Sequence, residues 1–348
     1  MRSLFTPLLP DDYIELINPL WSTRELRGRV ERIERETEDT VTIVIKPGHA
    51  WMGHDPGQYL RIGVIIDGVH HWRAYSLTSE TGRADGTISV TPKLVEEGTV
   101  SPHLVEQLKP GTLIRLGGVE GDFTLPDPLP ERFLFISAGS GITPIMSMLR
   151  ELDRLDEVSD VVLIHSSHTR EGVVFVEELE HLESKHDGFR LHLQITGGES
   201  GRMKPADLDE LCEDWRDRAT FASGPGELLD DLIEHWSEEE LANPELLFME
   251  RFQPRIGTSG EEGEGGSVHF TKSDLDGDSD GSTPILVVGE EAGIEMPFGC
   301  REGICHTCLC KLVSGQVRDM RNGDVKGTEG EMIRTCIHAP EGAIELEI

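Results

Sequence analysis

The chain has 348 residues, enough for two or three domains that each bury a core. Hydrophobic residues make up 37% and charged residues 28%, a composition suited to a water-soluble packed protein, and the net charge is −33. Such a surface excludes a nucleic-acid binder, which needs a basic stripe, and leaves either plain solvation or the steering of electrons to a basic partner protein.

No apolar run approaches the roughly 20 residues that span a bilayer. The opening Met-Arg-Ser-Leu-Phe-Thr-Pro lacks the apolar core and small-residue cleavage site of a signal peptide, so a cytoplasmic location is expected. Residues 1–24 are expected to form an extension with Pro7, Pro10, Pro19 and a helix-like patch over residues 11–17.

Residues 25–128 carry an all-β pattern. Short β-rich runs at 26–33, 41–45, 58–66, 71–77, 87–91 and 112–116 are bounded by Gly, Pro and Asp, which points to a closed antiparallel barrel. One helix is expected at 101–108, with Ser101 as its N-cap and Pro102 at its first position.

Over residues 129–254 strands alternate with helices. Strands are expected at 133–137, 161–165, 190–195, 219–222 and 246–250, and helices at 144–155, 174–183, 205–211 and 227–236. This alternation predicts a doubly wound α/β parallel sheet. Gly257–Gly266 (GTSGEEGEGG) contains no apolar residue, so a flexible linker is expected over 255–267, with a last domain at 268–348. Inside that domain DLDGDSDGS, residues 274–282, predicts an acidic hairpin turn. It is not a calcium loop, because the closing glutamate is replaced by Ile285.

Four of the six cysteines lie between Cys300 and Cys310, which in a cytosolic chain argues for metal or redox chemistry rather than disulfides. Cys300, Cys305, Cys308 and Cys336 follow the C-x4-C-x2-C…C spacing of a plant-type [2Fe–2S] centre. Three thiolates on one tight loop can wrap a small iron–sulfide rhomb, and the fourth closes it from another segment. Structural zinc would need a second C-x2-C pair, and a c-type haem would need His after Cys308, where Leu309 stands. A Rieske centre would replace two thiolates by histidines. Cys310 and Cys212 are expected to be buried small side chains.

Residues 283–310 (TPILVVGEEAGIEMPFGCREGICHTCLC) resemble a plant-type ferredoxin, which implies an α+β β-grasp fold with the cluster near the surface. Arg73-Ala74-Tyr75-Ser76-Leu77-Thr78-Ser79 resembles the R-x-Y-S-L-x-S segment of the ferredoxin–NADP reductase superfamily. There Arg73 would neutralise a pyrophosphate with a forked donor, Tyr75 would offer its ring to the flavin, and Ser76 would bond the flavin edge. Pro56-Gly57-Gln58-Tyr59 and Gly121-Asp122-Phe123 are similar to further segments of that family. Gly98-Thr99-Val100-Ser101 lies at a predicted helix start, so Gly98, Val100 and Ser101 are candidates to hold a cofactor phosphate.

Gly139-Ser140-Gly141-Ile142-Thr143-Pro144 sits between a strand and a helix, where a Gly-rich turn lets a pyrophosphate approach the backbone. Its Thr143-Pro144 ending is the form of the reductase superfamily, with Thr143 expected near the nicotinamide. Ser223-Gly224-Pro225 stands where that family usually has Cys-Gly-Pro, and Glu250-Arg251-Phe252 resembles its closing E-x-F, with Phe252 expected near the flavin. After the second parallel strand, His165-Ser166-Ser167-His168-Thr169-Arg170 offers hydroxyls and Arg170 in place of the acidic residue that binds a ribose 2′-OH. This favours NADPH over NADH, with Arg202 as a possible helper.

The resemblance therefore implies an oxidoreductase that uses FAD, or alternatively FMN, together with NAD(P)H and a [2Fe–2S] cluster. Electrons would pass from NAD(P)H through the flavin to the cluster and on to an acceptor protein. The extension, including Asn18-Pro19-Leu20-Trp21, looks like that of bacterial reductases serving stearoyl-CoA 9-desaturases, which implies a membrane di-iron desaturase or hydroxylase as acceptor. Two alternatives stand beside it: the reductase of a soluble ring-hydroxylating oxygenase, and a non-catalytic redox sensor.

Overall fold

The structure, a computed structural model, describes Tyr13 and residues 16–66, 68–95, 98–198, 201–238, 242–251, 263–281, 283–294, 296–297, 303 and 308–348. Apart from His71–Ala74, residues up to Phe252 form one compact unit, and a second begins at Gln253.

The first unit opens with six antiparallel strands: β1 (Arg27–Arg35), β2 (Val41–Pro47), β3 (Tyr59–Ile66), β4 (Val69–Ser76), β5 (Ile88–Val90) and β6 (Leu113–Glu120), in the order β4-β3-β6-β1-β2-β5. The sheet closes where the chain leaving β4 meets β5. Leu77 bridges Val90, and the Thr78 N–H donates to the Ser89 carbonyl at 2.8 Å. Alternation explains the interior: Ile43, Ile45, Leu60, Ile62 and Leu77 point inward and are fully buried. Each such side chain contributes about 1.5–3 kcal/mol of burial. The other face of β2 is covered too, since Thr42 and Val44 line a cleft of about 460 Å³ that Arg150 and Glu178 also border.

The helix expected at 101–108 begins earlier and changes pitch. A turn of α-helix, α1 (Val100–Pro102), runs into a π-helical segment, His103–Gln107, whose Leu104 and Val105 are buried against the barrel core. Ser101 lies inside this helix and is not its N-cap. Its hydroxyl accepts the Val95 N–H at 3.0 Å and ties down the preceding loop instead.

Next come the parallel strands β7 (Phe133–Ala138), β8 (Val161–Ser167), β9 (Phe189–Ile195), β10 (Ala219–Gly224) and β11 (Leu247–Arg251), in the order β11-β10-β7-β8-β9. Helices α2 (Ile142–Leu155) and α3 (Val176–Lys185) cover one face over Phe133, Phe135, Leu163 and Phe221. The short α4 (Leu208–Leu211) and the longer α5 (Gly226–Glu238) cover the other, over Leu134, Ile136, Val162 and Ile164 with Trp215 and Trp236. From β7 the chain winds first to β8 and β9, then crosses back to β10. The order therefore reverses between β7 and β10, and ligands of such sheets bind beyond the strand C-termini at that point.

Three side chains of α2 fasten this sheet to the loop after β4. Ser147 Oγ donates to the Ser79 carbonyl at 2.9 Å, and Arg150 Nη1 to the Thr78 carbonyl at 2.6 Å. Glu151 accepts both the N–H and the hydroxyl of Thr81, at 3.0 and 2.9 Å. Arg150 is itself held by a two-pronged pair with Glu178.

The second unit holds β12 (Gly266–Phe270), β13 (Leu275–Ser279), the helix α6 (Ile285–Glu291), β14 (Leu309–Asp319), β15 (Val325–Lys326), β16 (Met332–Arg334) and β17 (His338–Leu346). Its sheet runs β13-β12-β17-β14-β15, with β16 paired to β14. The central β12–β17 pair is parallel and the flanking pairs are antiparallel, with α6 packed over Val268, Phe270 and Leu346. The acidic hairpin is real, but its turn falls at Thr271–Asp274. Residues 275–279, expected to be part of the turn, form β13 against β12. Gly265 bridges Glu341 and Gly266 belongs to β12, so the end of the Gly/Glu-rich stretch is built into the sheet. Residues 257–262 lie outside the described residues.

Candidate functional site

Four of the five strands of the parallel sheet, β7, β8, β10 and β11, are largely apolar until their C-terminal ends, where each turns polar. Register places Glu250 beside Ser223, Ser223 beside Ser137, and Ser137 beside His165, one row across four neighbouring strands. The row lies at the C-terminal edge, one step beyond the Phe248, Phe221, Phe135 and Leu163 row, on the face that α2 covers. Ser137 Oγ and His165 Nδ1 share a buried hydrogen bond of 2.8 Å. Ser223 Oγ, Glu250 Oε2, His165 Nε2 and the neighbouring Ser166 Oγ are buried with no hydrogen-bond partner among the described residues. Four orphaned polar atoms at one sheet edge are costly unless a ligand or water meets them.

Burial alone sets the charge of two of these groups. It pushes the Glu250 carboxyl up to about 8, so at neutral pH it is a protonated hydrogen-bond donor. It pushes the His165 imidazole down to about 4, so that ring is neutral. Tyr59, at the start of β3, stands close enough to feel the charge of Glu250. Its phenol is raised to about 12, first by burial and then by Glu120, to which its hydroxyl donates at 3.3 Å.

Directly over β10 lies the Gly139–Gly141 turn that starts α2. A Cβ on Gly141 would fall 2.1 Å from the Ser223 carbonyl oxygen and 2.8 Å from the Gly224 nitrogen, so only glycine lets the turn lie on the strand. Thr143 is buried and donates its hydroxyl to the Ser140 carbonyl at 2.9 Å, and Pro144 is buried beside it. Gly139, Gly141, Thr143 and Pro144 are thus brought together with Ser223 and Gly224. Pro225 follows at the start of α5, and the Arg251 guanidinium ties β11 to that helix through the Gly226 carbonyl and Asp230.

On β4, Ser76 is buried at the strand end, Tyr75 is half-buried against the barrel core, and Arg73 is half-buried with Nη1 on the Trp72 carbonyl. Gly98 and Val100 lie at the start of α1, where a Cβ on Gly98 would fall 3.1 Å from Ser101 Oγ. Arg170 and Arg202 are solvent-facing, the first 60% exposed and paired with Glu180, the second 80% exposed and paired with Glu227. Phe252 lies outside the described residues.

In the second unit Cys308 and Cys336 are buried, with Sγ atoms 3.1 Å apart. That is too long for a disulfide, whose length is about 2.05 Å, and short enough for both to ligate one metal ion. The Gly303 N–H points at Cys336 Sγ, 3.2 Å away. A buried cysteine pair with an amide aimed at sulfur suits an iron–sulfur cluster. Cys300 and Cys305 lie outside the described residues. Cys310 points into the core beside Leu312, and burial raises its thiol to about 11; Cys212 is likewise buried and raised to about 11. Neither is suited to ligate as a thiolate.

Sequence reasoning named the glycine turn, Thr143 and Ser223 as candidates but did not see Ser137, His165, Ser166 and the unpaired carboxyl of Glu250 as parts of one row. The signal was present. FLFIS, VVLIHSS, ATFAS and LFME each end an apolar strand on a polar residue, and strand pairing aligns those ends.

Three domain families match the chain in order. They are an oxidoreductase FAD-binding domain at residues 27–125, an oxidoreductase NAD-binding domain at 135–207, and a 2Fe-2S iron-sulfur cluster binding domain at 277–341. An NADPH oxidoreductase of Mycobacterium tuberculosis is 44% identical over 99% of this chain and 90% of its own length. The glycine betaine monooxygenase reductase subunit of Chromohalobacter salexigens is 26% identical over 94% of this chain and 96% of its own. Among solved structures, phthalate dioxygenase reductase superposes with a TM-score of 0.61 at 20% identity, covering 92% of this chain and 97% of that one, a likeness of fold.

Proposed function

Since this chain belongs to the ferredoxin–NADP reductase-like family with FAD-binding, NAD-binding and C-terminal [2Fe–2S] domains, we propose that it draws electrons from NADPH in particular and delivers them to an oxygen-dependent iron enzyme. It is an NAD(P)H oxidoreductase of the flavin and [2Fe–2S] electron-transfer class. When bound, FAD exchanges a hydride for single electrons and the cluster carries those one at a time.

The protein's own residues supply position and polarity. Gly139, Gly141 and the first amides of α2 would hold the nucleotide pyrophosphate. Thr143, Ser223, Gly224 and Pro225 would border the nicotinamide, with protonated Glu250 and the Ser223 hydroxyl as its hydrogen-bonding partners. Arg73, Tyr75 and Ser76 would hold the flavin, with Gly98, Val100 and Ser101 at its phosphates and Phe252 beside its ring. Cys300, Cys305, Cys308 and Cys336 would ligate the cluster. The observation that carries this reading is the row of orphaned polar atoms beneath a turn that only glycine can form.

Arg170 and Arg202 support NADPH because a 2′-phosphate can displace Glu180 or Glu227 from an exposed pair of little net worth. Relatives named as monooxygenase reductase subunits support an oxygen-dependent acceptor. The sequence of the N-terminal extension favours a membrane fatty-acyl desaturase, and a soluble ring-hydroxylating oxygenase is the second reading. Among the described residues no helix is long and apolar enough to cross a membrane.

The test is anaerobic stopped-flow reduction of the holoprotein by NADPH and by NADH, with flavin and cluster absorbance followed together. Flavin bleaching before cluster bleaching, faster with NADPH and slowed in Arg170→Ser, is the expected result. Equal rates with the two nucleotides would refute the Arg170 argument. Reconstitution with a fatty-acyl desaturase in vesicles, set against a soluble oxygenase, decides the acceptor.

A further inference from the structure

The surroundings of Cys336 contain an arrangement that electron relay does not by itself require. Gly303 donates its N–H to Cys336 Sγ at 3.2 Å, and Arg334 donates Nη1 to the Gly303 carbonyl at 2.7 Å. Arg334 ends β16, whose pairing partner there is Leu309, next to Cys308. The same short segment therefore carries the ligand Cys336 and the side chain that grips the facing loop. Thr335, between them, accepts no freedom either: its N–H and its hydroxyl both donate to the Cys308 carbonyl, each at 3.1 Å.

Gly303 needs the grip. Its φ of +72° lies in the left-handed region, and a Cβ there would fall 2.7 Å from Ile337 Cδ1, so the position is confined to glycine. Glycine leaves the two peptide units that meet at its Cα free to rotate unless each is fixed from outside, here the N–H side by Cys336 and the carbonyl side by Arg334. Among the described residues the Arg321 guanidinium, which also feels Cys336, is committed to Asp319 through bonds of 2.9 and 2.6 Å.

We infer that Arg334 is a positioning residue that sets the cluster's reduction potential: by pinning Gly303 at its carbonyl it limits the movement of that residue, so that the N–H on its other side stays on the Cys336 sulfur. Reduction adds one electron and one negative charge to the cluster. An N–H directed at a ligand sulfur stabilises that added charge and raises the potential. Loss of the grip releases Gly303 on its carbonyl side, lets the residue shift, weakens its N–H bond to the sulfur and lowers the potential. This inference rests on Cys308 and Cys336 being cluster ligands.

The test uses the full-length holoprotein and three variants. Arg334→Leu removes both the donor and the charge. Arg334→Gln keeps a donor for the Gly303 carbonyl and removes the charge. Cluster reduction is followed by EPR and visible absorbance against one-electron dyes, with iron content measured and the flavin midpoint as internal reference. In Arg334→Leu the reduced-to-oxidised ratio of the cluster at fixed dye poise falls about tenfold, about 59 mV for a one-electron couple, while the flavin midpoint stays put. Arg334→Gln recovers most of that loss.

An Arg334→Gln shift as large as that of Arg334→Leu would mean that charge alone acts and would overturn the inference, as would no shift in either. Should Arg334→Leu lose its iron, Arg334→Gln decides by the same criterion: a near-native potential supports the inference and a tenfold loss overturns it. The third variant, Cys336→Ser, tests the ligand reading separately. Unchanged iron content and EPR signal there would refute the ligand assignment.

Discussion

His165 is a buried base with no charged partner among the described residues. Its ring is held neutral, with an imidazole that titrates at about 4 in the folded chain. Between about 4 and 6.5 the unfolded chain binds a proton that the folded chain does not, so stability falls as pH drops through that window. The shift corresponds to roughly 3 kcal/mol at full protonation. His165→Asn keeps a partner for Ser137 Oγ and removes the titration. Its urea midpoint should lie below wild type at pH 7 and change less between pH 7 and pH 4, and an unchanged pH slope would exclude His165 as the source.

Glu250 runs the other way. Its carboxyl titrates at about 8 in the folded chain, so from about 4.5 upward the unfolded chain gives up a proton that the folded chain keeps. Stability therefore falls as pH rises through that window. Glu250→Gln should match wild type in melting temperature at pH 5 and exceed it at pH 9 when no nucleotide is present. Because Gln also donates a hydrogen bond, flavin reduction near pH 7 should change little, while the wild-type decline above pH 8 should flatten. A variant with the wild-type pH profile would show that another group controls it.

At the scale of elements, the glycine turn and α2 carry the clearest mechanical demand. Gly141→Ala puts a methyl against the Ser223 carbonyl, and the backbone shift it forces costs about 1–3 kcal/mol. Flavin reduction by NAD(P)H should slow by an order of magnitude or more while the flavin and cluster spectra remain native. A native rate would show that the turn does not need its close approach to β10.

Most elements were legible because their signals are local. Strands such as 41–45 and 161–165 show in runs of β-branched residues, and α2 shows in its strand–glycine–helix setting. What failed was decided by contacts distant in sequence or by competing local bonds. Ser101 looked like an N-cap, but the Val95 amide takes its hydroxyl. Residues 275–279 looked like a turn because Asp and Gly disfavour strands, yet pairing with β12 overrides that preference. The polar row at the sheet edge could not be seen in any one segment, because register joins four strands that are far apart in the chain.

The whole molecule carries a net charge of −33, and the NAD(P)H it oxidises is itself an anion. A surface of this sign slows a polyanion and speeds a basic protein, and salt screens both effects over about 10 Å at 0.1 M. Raising ionic strength from about 0.02 to 0.3 M should therefore slow reduction of a basic acceptor such as cytochrome c severalfold. It should leave reduction of ferricyanide, a small anion, unchanged or faster. The same salt response for both acceptors would mean that the charge serves solvation alone.

The fastening of α2 has a consequence for recombination between relatives. Ser147 and Arg150 address backbone carbonyls of residues 79 and 78, which every sequence presents, whereas Glu151 alone addresses a side chain, the hydroxyl of Thr81, together with its amide. The seam between the two halves is therefore nearly blind to the identity of the loop it grips. A nicotinamide half grafted from a distant family member should dock on this barrel provided it brings the serine, arginine and glutamate of that helix. A barrel lacking Thr81 should lose one hydroxyl contact and keep the rest.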